Sequence, residues 1–89
     1  MTRTAIVTGA SRGFGRGIAR VLAAEADFKV FATARNQAAL DELKKEVEAT
    51  GCNGQIIPYS LDQNNDEEVI HFAEDVLKSV TKIDLLVNS

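Results

Sequence analysis

Three glycines lie close together near the start of this 89-residue sequence, in the stretch TGASRGFG. They follow the apolar run AIV and precede a segment with apolar residues at helical spacing. A helix that begins here exposes backbone N–H groups and roughly half a positive charge, which attract an anion such as phosphate. The stretch therefore predicts a phosphate-binding turn, and its candidate contact residues are Gly9, Ser11, Arg12, Gly13, Phe14 and Gly15.

A plain strand-to-helix turn is the alternative interpretation of these glycines. One glycine would favour it, whereas three glycines within a β-α-β unit of about 30 residues favour a dinucleotide site. There, glycines permit a tight turn, a close approach of the pyrophosphate and close packing of helix on strand. The spacing is T-G-x-x-x-G-x-G rather than G-x-G-x-x-G, because Ile18 occupies the third glycine position of the second pattern.

With this spacing, the chain resembles the short-chain dehydrogenase/reductase family along its whole length. Thr8, Gly9, Gly13 and Gly15 match the cofactor motif of that family. The resemblance implies an oxidoreductase that transfers a hydride between a nicotinamide and a carbonyl or alcohol carbon. It also implies a sheet that begins with the strand order 3-2-1-4.

Two later segments carry the same resemblance. SLD looks like the family's acidic segment after the third strand, which implies that Leu61 and Asp62 lie at the adenine ring. DLLVNS looks like the start of the family's D-x-L-V-N-N-A-G segment. Asn88 matches the first Asn of that segment and is a candidate cofactor contact, whereas Ser89 departs from the second.

The residues after the second predicted strand indicate which cofactor is preferred. An NAD site usually has an acid there for the ribose hydroxyls, whereas an NADP site has a cation for the 2′-phosphate. Here Ala34 stands where the acid would be, and Arg35 and Asn36 follow. Arg12 adds a second cation inside the glycine turn, and in the family a basic residue at either place is associated with NADP. We therefore predict NADP(H) rather than NAD(H), although either arginine alone could be an ordinary solvated surface residue.

The elements that position these residues alternate as β-α-β-α-β-α-β. The hydrophobic patterns predict strands at 4–8, 28–33, 55–59 and 83–88, and helices at about 13–25, 37–50 and 66–80. Such alternation predicts an α/β, Rossmann-like three-layer fold with a partial parallel sheet of four strands and three helices. No linker or repeat divides the chain, so it forms one domain.

Several residues define the predicted ends and faces of the helices. Asn36 and Asn65 are the expected N-caps, and Glu68 completes a capping box with Asn65. Gly51 is the expected left-handed stop of the second helix. The first helix is expected to present Ile18, Val21 and Leu22 on one face, and the third an apolar stripe formed by Val69, Phe72, Ala73, Val76, Leu77 and Val80.

Composition excludes several functional classes. No apolar run approaches the roughly 18 residues that a membrane span needs, and no signal peptide precedes the first strand. The net charge of −3 and the lack of a basic, aromatic stripe argue against a nucleic-acid partner. A single cysteine, Cys52, cannot form an intramolecular disulfide, which favours a reducing, cytoplasmic setting.

No catalytic residue and no metal ligand is assigned from the sequence. The family's catalytic Ser and Tyr-x-x-x-Lys follow the fourth strand and have no counterparts here. Tyr59 is the only tyrosine, and Gln63 stands four residues later where a lysine would be needed. His71 is interpreted as a surface residue and Cys52 as an ordinary turn residue.

The chain is therefore expected to be the N-terminal part of one NADP(H)-binding domain, truncated after the fourth strand and inactive alone. Its partners would be the dinucleotide and, only in a complete enzyme, a small carbonyl or alcohol substrate. An exposed, apolar fourth strand predicts self-association. A non-catalytic nucleotide-binding or interaction module is the alternative. A methyltransferase is disfavoured, because it would want an acid where Ala34 and Arg35 stand.

Overall fold

The computed structural model describes residues 2–89, which form four strands and three helices in strict alternation. The elements are β1 (Thr4–Thr8), α1 (Gly13–Ala26), β2 (Lys29–Ala34), α2 (Gln37–Glu48), β3 (Gln55–Ser60), α3 (Asp66–Ser79) and β4 (Leu85–Asn88). All neighbouring strands are parallel, and their order is β3-β2-β1-β4. The predicted Rossmann-like α/β fold and its strand order are therefore confirmed. No helix within residues 2–89 is long and apolar enough to cross a membrane.

Side chains of the sheet alternate between two cores, one on each face. Along β2, Val30, Ala32 and Ala34 face α1 and α2, whereas Phe31 faces α3. The first core is completed by helix residues that are fully buried, namely Ala19, Ala23, Leu40, Leu43 and Val47. The second core is smaller and rests on Phe72 and Val76 of α3. This arrangement gives the three layers and leaves the face of β4 beside α3 poorly covered, with Leu86 65% exposed.

The packing face of α1 differs from the sequence prediction. The residues buried against the sheet are Gly15, Ala19 and Ala23, whereas Ile18 and Leu22 are half-buried and Val21 is exposed. Small residues bring the helix axis close to the strands, and a Cβ atom at Gly15 would overlap the carbonyl oxygen of Gly9. The large apolar residues therefore lie on the sides of the helix.

The face of α3 also differs from the predicted apolar stripe. Phe72 and Val76 are buried, but Val69, Ala73 and Leu77 are exposed. The sheet lies under only part of the apolar arc of this helix. Val69 and Ala73 border an open groove over β1 and β4.

Several element boundaries shift by a few residues from the predicted positions. β2 starts and ends one residue later than predicted, α2 ends at Glu48, and β4 is limited to four residues. β3 continues through Pro58 to Ser60. It is the outer strand of the sheet, where a proline is tolerated because one row of backbone groups needs no partner strand.

The predicted N-caps are confirmed, apart from one half of the capping box, whereas the left-handed Gly51 lies two residues beyond Ala49, the C-cap of α2. The Asn36 side chain accepts a hydrogen bond from the Ala39 N–H at 3.0 Å, and that of Asn65 accepts one from the Glu68 N–H at 3.2 Å. The Glu68 carboxylate, however, accepts from the Asp62 N–H at 3.3 Å rather than from Asn65. The Asn65 N–H is already engaged by the Asp62 carbonyl at 2.9 Å.

A pair of hydrogen bonds fixes the start of β4 against β1. The Thr4 N–H donates to the Asp84 carboxylate at 2.8 Å, and the Asp84 N–H donates to the Thr4 carbonyl at 2.9 Å. The bond from Thr4 is the largest cause of a lowered pKa at Asp84, and the Lys82 ammonium, 3.4 Å away, lowers that pKa further. The register that follows places Asn88 beside Thr8.

We predict that Asp84→Asn destabilises the chain at pH 7 and that the loss shrinks in acid. The pKa of Asp84 is lower in the folded chain than in the unfolded one. Its contribution is therefore complete above the unfolded value of about 3.9 and is lost as the pH falls through the folded value. Thermal unfolding by circular dichroism between pH 2 and pH 7 measures this, with Glu42→Gln on α2 as the control. A melting difference that stays constant over this range would contradict the prediction.

Candidate functional site

A cleft of about 410 Å³ lies where the carboxyl ends of β1, β2 and β3 meet. Ligands of open α/β sheets bind outside the carboxyl ends of the strands, at the point where the strand order reverses. Here the reversal lies between β1 and β4, because the chain crosses from β3 over to the other side of β1. The cleft brings together eight of the predicted site residues, namely Gly9, Ser11, Arg12, Ala34, Arg35, Asn36, Leu61 and Asp62.

The cleft also contains three residues that the sequence analysis did not predict, namely Gln63, Asn64 and Ser89. Asn64 is held by its N–H, which donates to the Asp62 carboxylate at 2.9 Å. The run D-Q-N-N of turn-forming residues after β3 is the sequence signal that could have revealed this loop. Ser89 comes so close to the glycine turn that a Cβ atom at Gly9 would lie 2.9 Å from its carbonyl oxygen.

Four predicted site residues lie outside the walls of this cleft. Gly13 and Gly15 belong to the first turn of α1, and Phe14, which is 75% exposed, lies in a shallow groove on the outside of that helix. Asn88 lies at the end of β4, where its side-chain oxygen accepts a hydrogen bond from the Thr8 hydroxyl at 2.8 Å. It borders the apolar groove beside α3 instead.

The backbone of the glycine turn explains two of its glycines. Gly9 and Gly13 have φ angles of 62° and 61°, in the left-handed region that other residues rarely adopt. No atom lies within 4 Å of the position that a Cβ atom would occupy at Gly13, so the surface there is open. The Ala10 N–H donates to the Thr33 carbonyl at 3.0 Å and thereby fixes the turn to the end of β2.

The N-terminus of α1 has no side-chain cap, unlike those of the other two helices. Arg12 occupies the cap position in an extended conformation and makes no capping hydrogen bond, and the first turn contains no acid. Asn36 and Asn65, in contrast, cap α2 and α3. The free N–H groups and the positive end of the α1 dipole are therefore available to an anion at this turn.

Two arginines of the cleft lack an acidic partner within 4 Å in the part of the chain that the structure describes. Over residues 2–89, ion pairs join Arg16 and Arg20 to Glu46, and Lys82 to Asp84, but none involves Arg12 or Arg35. Asp62 is the one acid that lines the cleft. Two exposed guanidinium groups against one carboxylate leave an excess of positive charge in the cleft, which favours a ligand with more than one negative charge.

Hydrogen bonds at residues 34–36 hold the backbone that carries Arg35. The Ala34 carbonyl accepts from the Leu61 N–H at 2.9 Å, and the Arg35 carbonyl accepts from the Ser60 hydroxyl at 3.0 Å. The Asn36 side chain is the cap of α2. Asn36 therefore contributes a fixed helix start to the cleft, and its side-chain oxygen is engaged by the Ala39 N–H.

The structure also shows the environment of Tyr59, Cys52 and His71, to which the sequence analysis assigned no catalytic role. The Tyr59 hydroxyl donates to the Asp75 carboxylate, and its ring contacts Phe72 edge-on at 4.8 Å between centroids. The thiol of Cys52 lies near the Val47 and Gly54 carbonyls, and His71 is exposed on α3.

Comparison with known proteins establishes the family. The family model described as short chain dehydrogenase matches residues 3–89, and the chain belongs to this family. Dehydrogenase/reductase SDR family member 11 from Bos taurus is 34% identical over 87 residues, which cover 98% of this chain and 34% of that protein. A probable 2,4-dienoyl-CoA reductase from Bacillus subtilis is 31% identical over 87 residues, 98% of this chain and 33% of its own length. The chain thus spans about a third of the length of these curated relatives.

A solved structure agrees with the fold and contains a nucleotide. A metagenomic short-chain oxidoreductase in complex with NADP is 34% identical and superposes with a TM-score of 0.85. The match covers 94% of this chain and 37% of that protein.

We predict opposite effects on stability for two glycines of α1. Gly15→Ala forces a Cβ atom into the Gly9 carbonyl and destabilises the chain by about 1–3 kcal/mol. Gly17→Ala meets nothing within 4 Å and stabilises it by about 0.5–1 kcal/mol, because alanine is the better helix former. Urea unfolding measures both changes, and equal effects of the two substitutions would refute the close approach of α1 to the turn.

Proposed function

We propose that the chain is the NADP(H)-binding part of an oxidoreductase that moves a hydride between nicotinamide and a carbonyl or alcohol carbon. The observation that carries this proposal is the cleft, which is lined by Arg35 and by Arg12, the N-cap residue of the uncapped helix α1, and neither arginine has an acidic partner within 4 Å among residues 2–89. Membership of the short chain dehydrogenase family supports it. The NADP bound to a relative with the same fold supports the choice of cofactor.

Each part of the dinucleotide has a proposed contact surface. The pyrophosphate would be bound by the backbone N–H groups of Gly13, Phe14 and Gly15, where no side chain caps α1. In this arrangement Phe14 contributes its backbone, since its side chain lies on the outer side of the helix. Gly9 and Ser11 would form the floor of the turn beneath the phosphates.

The adenosine half would lie between the ends of β2 and β3. Leu61 and Asp62 are proposed to contact the adenine, with Ala34 and Asn36 forming the wall on the β2 side. Asn88 would border the cofactor at the end of β4, where its contact with Thr8 fixes it. Ser89, which lines the cleft, extends this surface.

The preference for NADP(H) follows from charge in the cleft. A 2′-phosphate carries about two negative charges near neutral pH and is stabilised by charge-assisted hydrogen bonds from guanidinium groups. Arg12 and Arg35 can supply them, since neither forms an ion pair within residues 2–89. An NAD site would instead hold the ribose hydroxyls with an acid where Ala34 stands.

The hydride transfer itself is proposed for the whole protein rather than for residues 1–89 alone. When bound, the nicotinamide supplies or accepts the hydride. These residues include no tyrosine with a lysine four positions later, and Tyr59 is engaged by Asp75. We therefore expect this chain alone to bind the cofactor without turnover. The same observation favours a second candidate function, a nucleotide-binding module without chemistry.

The binding partners of the protein are proposed from the cleft and from the family to which the chain belongs. The dinucleotide would bind this part of the protein, and a small carbonyl or alcohol substrate would bind only in a complete enzyme. The cytoplasmic setting and the exclusion of nucleic acid and membrane as partners stay predictions from composition.

The cofactor preference is tested by Arg35→Asp. We expect NADPH to bind the unaltered chain more tightly than NADH. The substitution should weaken NADPH binding by about tenfold or more, because a charge-assisted contact is lost and a repulsion is introduced. NADH binding should stay within about twofold, since no 2′-phosphate is involved. Calorimetric titration with both cofactors measures this.

Arg20→Gln is the matched control, since it removes a cation of α1 that is paired with Glu46 and does not line the cleft. It should leave both affinities unchanged. An Arg35→Asp chain that retains its preference for NADPH would count against Arg35, and an unaltered chain that binds neither cofactor would count against the proposed function.

Self-association is proposed through β4, the outer strand on one side of the sheet. Its outward backbone groups have no partner strand among residues 2–89, and Leu85 and Leu86 are 39% and 65% exposed. Exposed apolar edges of this kind pair with other chains.

We predict that sedimentation velocity detects species larger than a monomer, whose fraction rises with concentration. Leu86→Lys should lower that fraction, because charge on an edge strand opposes pairing. Val21→Lys, on the exposed side of α1, is the control and should not change it. A clean monomer at all concentrations, with a cooperative thermal melt, would overturn this proposal.

A further inference from the structure

Ser60 holds Arg35 from outside the cleft. It is the last residue of β3 and lies directly opposite Ala34 in the parallel register of β2 and β3. Its hydroxyl donates to the Arg35 carbonyl at 3.0 Å. Ser60 does not itself line the cleft, so it has no direct contact surface for a ligand there.

The hydrogen bonds at residues 34–36 serve different parts of the structure. The bond from Leu61 to the Ala34 carbonyl extends the pairing of β2 and β3, and the bond at Asn36 caps α2. The Ser60 bond serves neither the sheet ladder nor a helix. It acts only on the orientation of the peptide that carries the Arg35 side chain.

We infer that Ser60 is a positioning residue for recognition of the 2′-phosphate, acting through Arg35. This inference rests on the proposed function, because it assumes that the cleft binds NADP(H). The guanidinium is exposed and has no acidic partner within 4 Å among residues 2–89 to hold it in place. Because the peptide is already fixed, Arg35 loses less conformational entropy when it binds a phosphate. The affinity for the phosphate is higher as a result.

The inference predicts selectivity rather than a general loss of binding. A ligand with a 2′-phosphate should be sensitive to the Ser60 hydroxyl, whereas the same ligand without that phosphate should not. A purely structural role for Ser60 would lower the melting temperature and would weaken both ligands alike.

The test uses Ser60→Val and Ser60→Thr, which have nearly the same shape and differ in the hydroxyl. The probes are 2′,5′-ADP, which has one 2′-phosphate and one 5′-phosphate, and 5′-AMP, which lacks only the 2′-phosphate. We expect Ser60→Val to weaken the binding of 2′,5′-ADP by about 2–10-fold, as for one neutral hydrogen bond, and to change the binding of 5′-AMP by less than about twofold. Ser60→Thr should bind both as the unaltered chain does. In an Arg35→Gln background, Ser60→Val should have no further effect.

Several outcomes would overturn the inference. One is equal affinity of the Val and Thr variants for 2′,5′-ADP, and another is an equal loss for both probes. If Ser60→Val fails to fold, Ser60→Ala replaces it, since alanine also lacks the hydroxyl and is smaller. A measurement of NADPH binding by the unaltered chain distinguishes a failure of the Ser60 inference from a failure of the proposed function. With binding present and no Ser60 effect, only this inference fails, whereas without binding the proposed function fails with it.

Discussion

The close contact between the start of α1 and the turn after β1 is the constraint on which the rest of the site depends. Gly15 leaves no side chain between the helix and the Gly9 carbonyl, and Ala19 and Ala23 continue the same close packing along the sheet. The helix can therefore begin at the carboxyl end of β1, with its uncapped N–H groups at the surface. A larger residue at position 15 would lift the helix away and disrupt the proposed phosphate site together with part of the core.

Parallel strands then bring the remaining functional residues to the same edge. The glycine turn follows β1, Arg35 follows β2 and Asp62 follows β3, so residues far apart in the sequence meet in one cleft. Hydrogen bonds between these loops keep that meeting point in place. The Ala10 N–H binds the Thr33 carbonyl, and the Leu61 N–H binds the Ala34 carbonyl. The sheet thus both creates the cleft and fixes the spacing of its charges.

The sequence predicted the fold well because strand and helix patterns alternate clearly and the caps at Asn36 and Asn65 are local features. It failed where burial depends on how closely two elements approach. The hydrophobic pattern predicted that Val21 lies on the packing face of α1, but the residues buried on that face are Gly15, Ala19 and Ala23. It also placed Glu68 in a capping box, whereas the Asp62 loop, which approaches only in three dimensions, provides its partner.

Within the cleft, the sequence analysis missed three residues that only tertiary contacts bring there, namely Gln63, Asn64 and Ser89. Gln63 and Asn64 line the cleft because the loop after β3 turns back at Asp62, and no pattern in the chain specifies that direction. Ser89 lines it through the pairing of β4 with β1, which brings its N–H within 3.1 Å of the Thr8 hydroxyl oxygen. Both placements are consequences of tertiary contacts rather than of local propensity.

The central claim is that an anionic dinucleotide binds at the open start of α1. The most direct measurement is a nuclear magnetic resonance titration of the ¹⁵N-labelled chain with NADPH, followed at each backbone amide. The account predicts that the largest shifts occur at Gly13, Phe14 and Gly15, with smaller ones after β2 and β3. Shifts confined to other surfaces, or no shifts at millimolar NADPH, would contradict it.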